Sequence, residues 1–138
     1  DEIFLAAMRH TLSVYGAEVR GALSMADGPR ARIEAIIRAG FGPSNFHASV
    51  VAAWLNFWIM ARTNVGAARL LRIYEGRLRS NLVSNLRPLI GDRADDAAER
   101  LAAMIDGVYL RQGVQPGATD RHQAVRLVLT ALSHELAV

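Results

Sequence analysis

Trp54, Phe57 and Trp58 stand three and four residues apart, a spacing that gathers them on one face of an α-helix. Aromatics gathered in this way either form a slab of core or wall a pocket for a small ligand. The negative faces of Trp and Tyr rings attract organic cations, each contact contributing about 0.5–2 kcal/mol. Six of the nine aromatics, Phe41, Phe46, Trp54, Phe57, Trp58 and Tyr74, fall between positions 41 and 74. A cation held by rings gains from a nearby carboxylate, and Asp106, one turn before Tyr109, is the candidate. Asp106 lies among Met104, Ile105, Val108 and Leu110, where an unpaired charge is costly. Three arrangements would satisfy it: an Arg partner, a helix cap across a dimer, or a cationic ligand. Glu75, Asn56 and Asn81 are weaker candidates, better read as solvated or interface groups.

Other chemistry is poorly represented. There is no cysteine, which excludes disulfides and thiolate metal sites. His10, His47, His122 and His134 have no second ligand at a recognisable metal spacing. No phosphate loop, nucleophile elbow or Ser-His-Asp pattern is present. The expectation is a protein that is not an enzyme and needs neither metal nor cofactor. All sixteen basic residues are Arg, set against thirteen acids. They are spread singly, so they do not form a nucleic-acid surface. The longest apolar run, from Ala48 to Ala61, is interrupted by Asn56 and is shorter than the roughly 20 residues of a membrane span.

Positioning falls to helices, since strand signals are almost absent. Gly, Pro and capping residues divide the chain into six. The first covers about Asp1–Met25, with a stripe of Ile3, Ala7, Met8, Leu12, Tyr15 and Val19. Asp27-Gly28-Pro29 ends it, and Pro29 opens a second helix that stops at Gly40. Ser44 is read as the cap of a third, about Asn45–Arg62. Thr63 or Asn64 caps a fourth that ends at Arg87, because Pro88 should forbid continuation. Asp92 is read as the cap of the fifth, which closes near Gly113. Thr119 is read as the cap of the sixth, which runs to about Leu136.

The last two helices are apolar on more than one side. The fifth carries Leu101, Met104, Ile105 and Val108, with Ala102, Tyr109 and Leu110 on another face. The sixth carries Val125, Val128, Leu129 and Leu132, flanked by Ala124, Leu127 and Ala131. A helix that is apolar all round must be covered all round. A second copy of the chain would supply the cover by forming an intermolecular four-helix bundle. The expectation is a homodimer joined through Leu101, Ile105, Val108, Val125, Val128 and Leu132.

The string Leu101-Ala102-Ala103-Met104-Ile105-Asp106-Gly107-Val108-Tyr109-Leu110-Arg111 resembles the penultimate-helix motif of TetR-family transcriptional repressors. With the strings around Trp54–Trp58 and Arg77-Leu78-Arg79-Ser80-Asn81-Leu82, the likeness narrows to the choline-responsive, BetI-like branch. It covers essentially the whole chain. Two differences stand out: Tyr109 occupies a position where the family often has Trp, and no helix-turn-helix head precedes Asp1.

The resemblance implies an all-α, six-helix TetR-type C-terminal domain over residues 1–138, for effector binding and dimerisation. Its ligand, suspected to be choline or a similar quaternary ammonium, would meet Trp54, Phe57, Trp58, Tyr74, Asp106 and Tyr109. The resemblance further implies a cytoplasmic repressor of glycine betaine synthesis, without membrane contact, touching operator DNA only through the missing head. The alternatives are a TetR-like sensor for a pyrimidine or an acyl or other hydrophobic compound, and a ligand-free helical dimerisation module.

Overall fold

In a computed structural model, residues 1–137 are described. Six α-helices account for most of them: α1 (Glu2–Met25), α2 (Pro29–Gly40), α3 (Ala48–Met60), α4 (Val65–Ile90), α5 (Ala94–Gly113) and α6 (Arg121–Leu136). A 3₁₀ turn, Gly91–Arg93, joins α4 to α5, and no strand occurs among the described residues. No helix there is long and apolar enough to cross a membrane. The long α4 is the central post: α1, α2, α3 and α5 all pack on it, and α6 closes the far side against α2 and α5.

Local chemistry explains most boundaries. Pro29 opens α2 behind Gly28, whose φ of 91° suits only glycine. Asn64 caps α4, its Oδ1 accepting from the Ala67 amide at 2.9 Å.

Four expected boundaries are corrected. The third helix starts at Ala48, not Asn45. Residues 42–46 form a tight turn in which the Asn45 and Phe46 amides donate to the Gly42 carbonyl. Ser44 caps nothing, because its hydroxyl is drawn to the Glu18 carboxylate at 2.6 Å. Helix α4 runs through Pro88 to Ile90 and stops at Gly91, which has a φ of 60°. Only two residues follow Pro88, and Leu86 is anchored in the core, so the loss of one amide near a helix end is tolerated. Asp92 lies within the 3₁₀ turn and makes no cap bond to α5. The cap of α6 is Asp120, accepting from the Gln123 amide, while Thr119 donates to the Phe46 carbonyl at 3.0 Å.

The buried stripe of α1 is Leu5, Met8, Leu12, Tyr15 and Val19. Ile3, expected in it, is 89% exposed. The core runs from Ile33, Ile36, Ile37 and Phe41 through Leu82 and Leu86 to Leu101, Val128 and Leu132. This corrects the expected dimer contacts. Leu101, Ile105, Val125, Val128 and Leu132 are already buried within the single chain, so they are not left waiting for a partner. Both helices have apolar residues on two sides, and a pattern of that kind does not specify which side turns inward. On their other sides Met104, Gly107 and Val108 of α5 and Ala131 of α6 are half-buried, and Leu127 of α6 is exposed.

Candidate functional site

The three helices that pack around the middle of the molecule each bring an aromatic to one small space. From α3 come Trp54 and Trp58, from α4 Tyr74, and from α5 Asp106 and Tyr109, with Ile105 behind them. Gly40 and Asn45, at the α2–α3 turn, complete the lining. The space they leave is about 10 Å³, on the order of one water-sized sphere. The rings meet tightly around it. Trp54 lies 4.8 Å from Tyr74, 5.4 Å from Trp58 and 6.5 Å from Tyr109 between centroids, and Trp58 lies 6.4 Å from Tyr109. All four separations fall within the attractive range of about 4.5–7 Å.

Phe57 does not join this ring box. It is fully buried and stacks edge-on behind Trp54 at 5.8 Å, so it supports the wall from the core side. Trp54 belongs to both worlds: it is 2% exposed and lines the space as well. Trp58 and Tyr74 are half-buried, and these two rings form the side of the box nearest solvent.

Asn45 organises the box. It is the one buried polar residue among those described, and every polar group it has is used. Its Nδ2 donates to the Gly40 carbonyl at 2.9 Å, its Oδ1 accepts from Trp54 Nε1 at 3.3 Å, and its carbonyl accepts the Tyr109 hydroxyl at 2.7 Å. One turn residue thus orients two of the four rings. Sequence reasoning missed it by reading Asn45 as the start of a helix, and nothing in Gly-Pro-Ser-Asn signals an inward side chain. It also missed Tyr15, whose ring stacks 6.1 Å from Tyr74, and it assigned Ile105 to the dimer when Ile105 lines the box.

Asp106 is the electrostatic centre. Among the described residues it forms no ion pair, and the Arg partner considered for it is not there. Its one polar partner is the Tyr74 hydroxyl, which donates to Oδ1 at a long 3.4 Å. Burial pushes its pKa up to about 6, the Glu75 charge adds to this, and the Tyr74 hydrogen bond offsets part of it. Near neutral pH the group is therefore mostly an anion without a counter-charge, facing aromatic rings. Burial also raises Tyr15, Tyr74 and Tyr109, so all three remain neutral hydrogen-bond donors. Glu75 is exposed and contributes only its field. Among the described residues no cluster of His, Asp or Glu could hold a metal ion.

This arrangement offers a cation an anionic floor and π-rich walls.

Residues 29–137 match the family described as the BetI-type transcriptional repressor, C-terminal. The chain is 42% identical to the HTH-type transcriptional regulator BetI of Brucella anthropi, over 93% of its length and 66% of the relative's. Against the protein of the same name from Brucella suis biovar 1 it is 40% identical, covering 99% of this chain and 70% of that one. It thus spans about two thirds of the length of these regulators.

Among solved structures, a transcriptional regulator of Pseudomonas aeruginosa PAO1 superposes with a TM-score of 0.80 at 27% identity, covering 97% of this chain and 66% of that one. A Rhodococcus sp. Rha1 transcriptional regulator shares the fold, with a TM-score of 0.77 at 20% identity, covering 100% of this chain and 75% of that one. These relatives are regulators and not enzymes. On its helical architecture and on these matches, the chain belongs to the BetI-type, TetR-family transcriptional regulators and corresponds to their C-terminal domain.

Proposed function

We propose that this domain senses a small organic cation, choline on the strength of its family, in the box formed by Trp54, Trp58, Tyr74, Asp106 and Tyr109. The observation that carries the reading is Asp106: a largely buried carboxylate with no cationic partner, set against four aromatic rings. A quaternary ammonium satisfies both features at once, since it needs no hydrogen-bond acceptor and is attracted to ring faces and to negative charge. The space of about 10 Å³ is too small for such a ligand, so binding has to part the rings. The half-buried Trp58 and Tyr74 are the walls that can give way with the least loss of core packing.

Two domains act together in this reading. The outward stripe of Met104, Gly107 and Val108 on α5, with Leu127 and Ala131 on α6, meets its copy in an intermolecular four-helix bundle. The homodimer holds two helix-turn-helix heads of the full-length, cytoplasmic repressor at half-sites about 34 Å apart. Choline shifts the population toward a head spacing that no longer fits the operator of glycine betaine synthesis. It can do so only by as much as it prefers that state.

Isothermal titration with choline tests the reading. Heat of binding in the parent, with affinity strongly weakened in Asp106→Asn and reduced in Trp58→Ala, supports it. No heat up to millimolar choline, with the fold intact, rejects it.

A further inference from the structure

On the other side of Tyr74 from the ring box lies a groove of about 280 Å³ between α1 and α4. Its floor is apolar, made by Leu12, Val19, Ile36, Leu70, Ile73 and Leu78, while its charged lining is Arg9, Arg20 and Arg77, with no carboxylate. None of these three guanidiniums takes part in an ion pair among the described residues, whereas Arg30, Arg79, Arg87 and Arg100 all do.

The helices run in the same direction. Leu5 abuts Gly66, and ten residues further along α1 the Tyr15 ring meets Tyr74. That register carries Arg20 to the level of Arg77 and Leu78. Arg20 also lies back over α1, with Nη1 3.4 Å from where a Cβ on Gly16 would stand. The glycine therefore leaves room for the guanidinium at the groove's edge.

We infer that the α1–α4 groove is a second binding site, for an amphipathic carboxylate. The tail lies along the apolar floor and the head sits between Arg20 and Arg77. Arg suits this task because its planar fork matches a carboxylate with two parallel hydrogen bonds. The volume falls just below the range of roughly 300–1,000 Å³ usual for ligand pockets, which selects a medium-length chain. The inference is independent of the choline reading, since the groove shares only its Tyr74 wall with the box.

The probe is octanoate, titrated calorimetrically into the domain beside 1-octanol, which has the same tail without charge. Octanoate is expected to bind at submillimolar concentration and at least tenfold more tightly than 1-octanol. In the double variant Arg20→Met/Arg77→Met, octanoate should weaken to the level of 1-octanol. Because both arginines are exposed, the variant should fold normally, as its circular dichroism would show. Ile73→Trp, which fills the groove from an exposed position, should abolish binding of both probes. The inference is overturned if octanoate gives no heat at millimolar concentration or binds no better than 1-octanol. It also fails if octanoate affinity survives the double arginine variant but falls in Trp58→Ala, which would place the ligand in the ring box.

Discussion

Replacing Asp106 by Asn separates a binding group from a structural one, because the two roles demand opposite changes in stability. Burial holds the Asp106 carboxyl at about 6 in the folded chain, against an ordinary value of 3.8. Well below pH 3.8 the group is neutral whether the chain is folded or not, and it costs nothing. As the pH rises from 4 to 6, the unfolded chain gives up its proton while the folded chain keeps it, so stability falls. Above about pH 6 the loss is complete and levels off. The gap between 3.8 and about 6 corresponds to about 3 kcal/mol at 1.36 kcal/mol per pH unit.

Asn keeps the shape and can still accept the Tyr74 hydrogen bond, but it cannot ionise. Asp106→Asn should therefore be more stable than the parent at pH 7.5 by up to about 3 kcal/mol, with the advantage disappearing near pH 4. Urea unfolding at one fixed protein concentration measures this as a shift in midpoint with an unchanged slope. Choline affinity should move the other way. A unit charge about 5 Å away at an effective dielectric of 20 is worth about 3 kcal/mol, so a loss on the order of 100-fold is expected. A variant less stable than the parent at pH 7.5, or a gain that persists unchanged at pH 4, would refute the reasoning.

The other predictions concern packing. Trp54→Ala should cost about 3–5 kcal/mol in urea unfolding, because Trp54 is buried and tied to Asn45. The half-buried Trp58 should cost clearly less on truncation, yet lower choline affinity in the same titration. Gly107→Arg places a charge on the outward stripe of α5, where a Cβ meets nothing in the single chain, and light scattering should report a monomer. Leu132→Ala, in the core, should instead cost about 2–5 kcal/mol and leave a dimer. A Cβ on Gly113 would collide with Val51 Cγ1. Gly113→Ala should therefore lower stability by about 1–3 kcal/mol, and Val51→Ala should restore much of that loss in the double variant.

How much of this could be read from the sequence depended on whether the relevant contact was local. The helices announced themselves through Gly28-Pro29, Asn64 and Gly113, whose effects act within a turn. Aromatic spacing placed Trp54 and Trp58 on a common face, and the box does contain both. Phe57 lies about 60° round the helix from Trp54, on the side away from Trp58, and that angle puts it behind Trp54 in the core. The choice of inward face on α5 and α6 was illegible, since Leu101 and Met104 look equally apolar along the chain. Only packing against α2, α3 and α4 separates them. Asn45 was invisible for the same reason: its partners Gly40, Trp54 and Tyr109 are up to 64 residues away.

The tightness of the ring box fits the proposed sensing better than an open pocket would. A ligand that enters a cavity equally open in both states gains contact without moving anything, and it shifts no equilibrium between them. In the proposed mechanism a cation has to part rings that already attract one another, so its binding energy is spent on displacing them. Among the rings next to solvent, Tyr74 is the one with a second attachment. It donates to Asp106 on one side and stacks on Tyr15 of α1 on the other. When a cation neutralises Asp106, the carboxylate has less need of that hydrogen bond, and displacement of Tyr74 bears directly on Tyr15. Through Leu12, Tyr15 and Val19, α1 is held to the rest of the domain by one narrow buried stripe. In the proposed mechanism a push at the middle of that stripe is what tilts the helix, so Tyr15→Ala should leave choline binding measurable while weakening its effect on operator release by the full-length repressor.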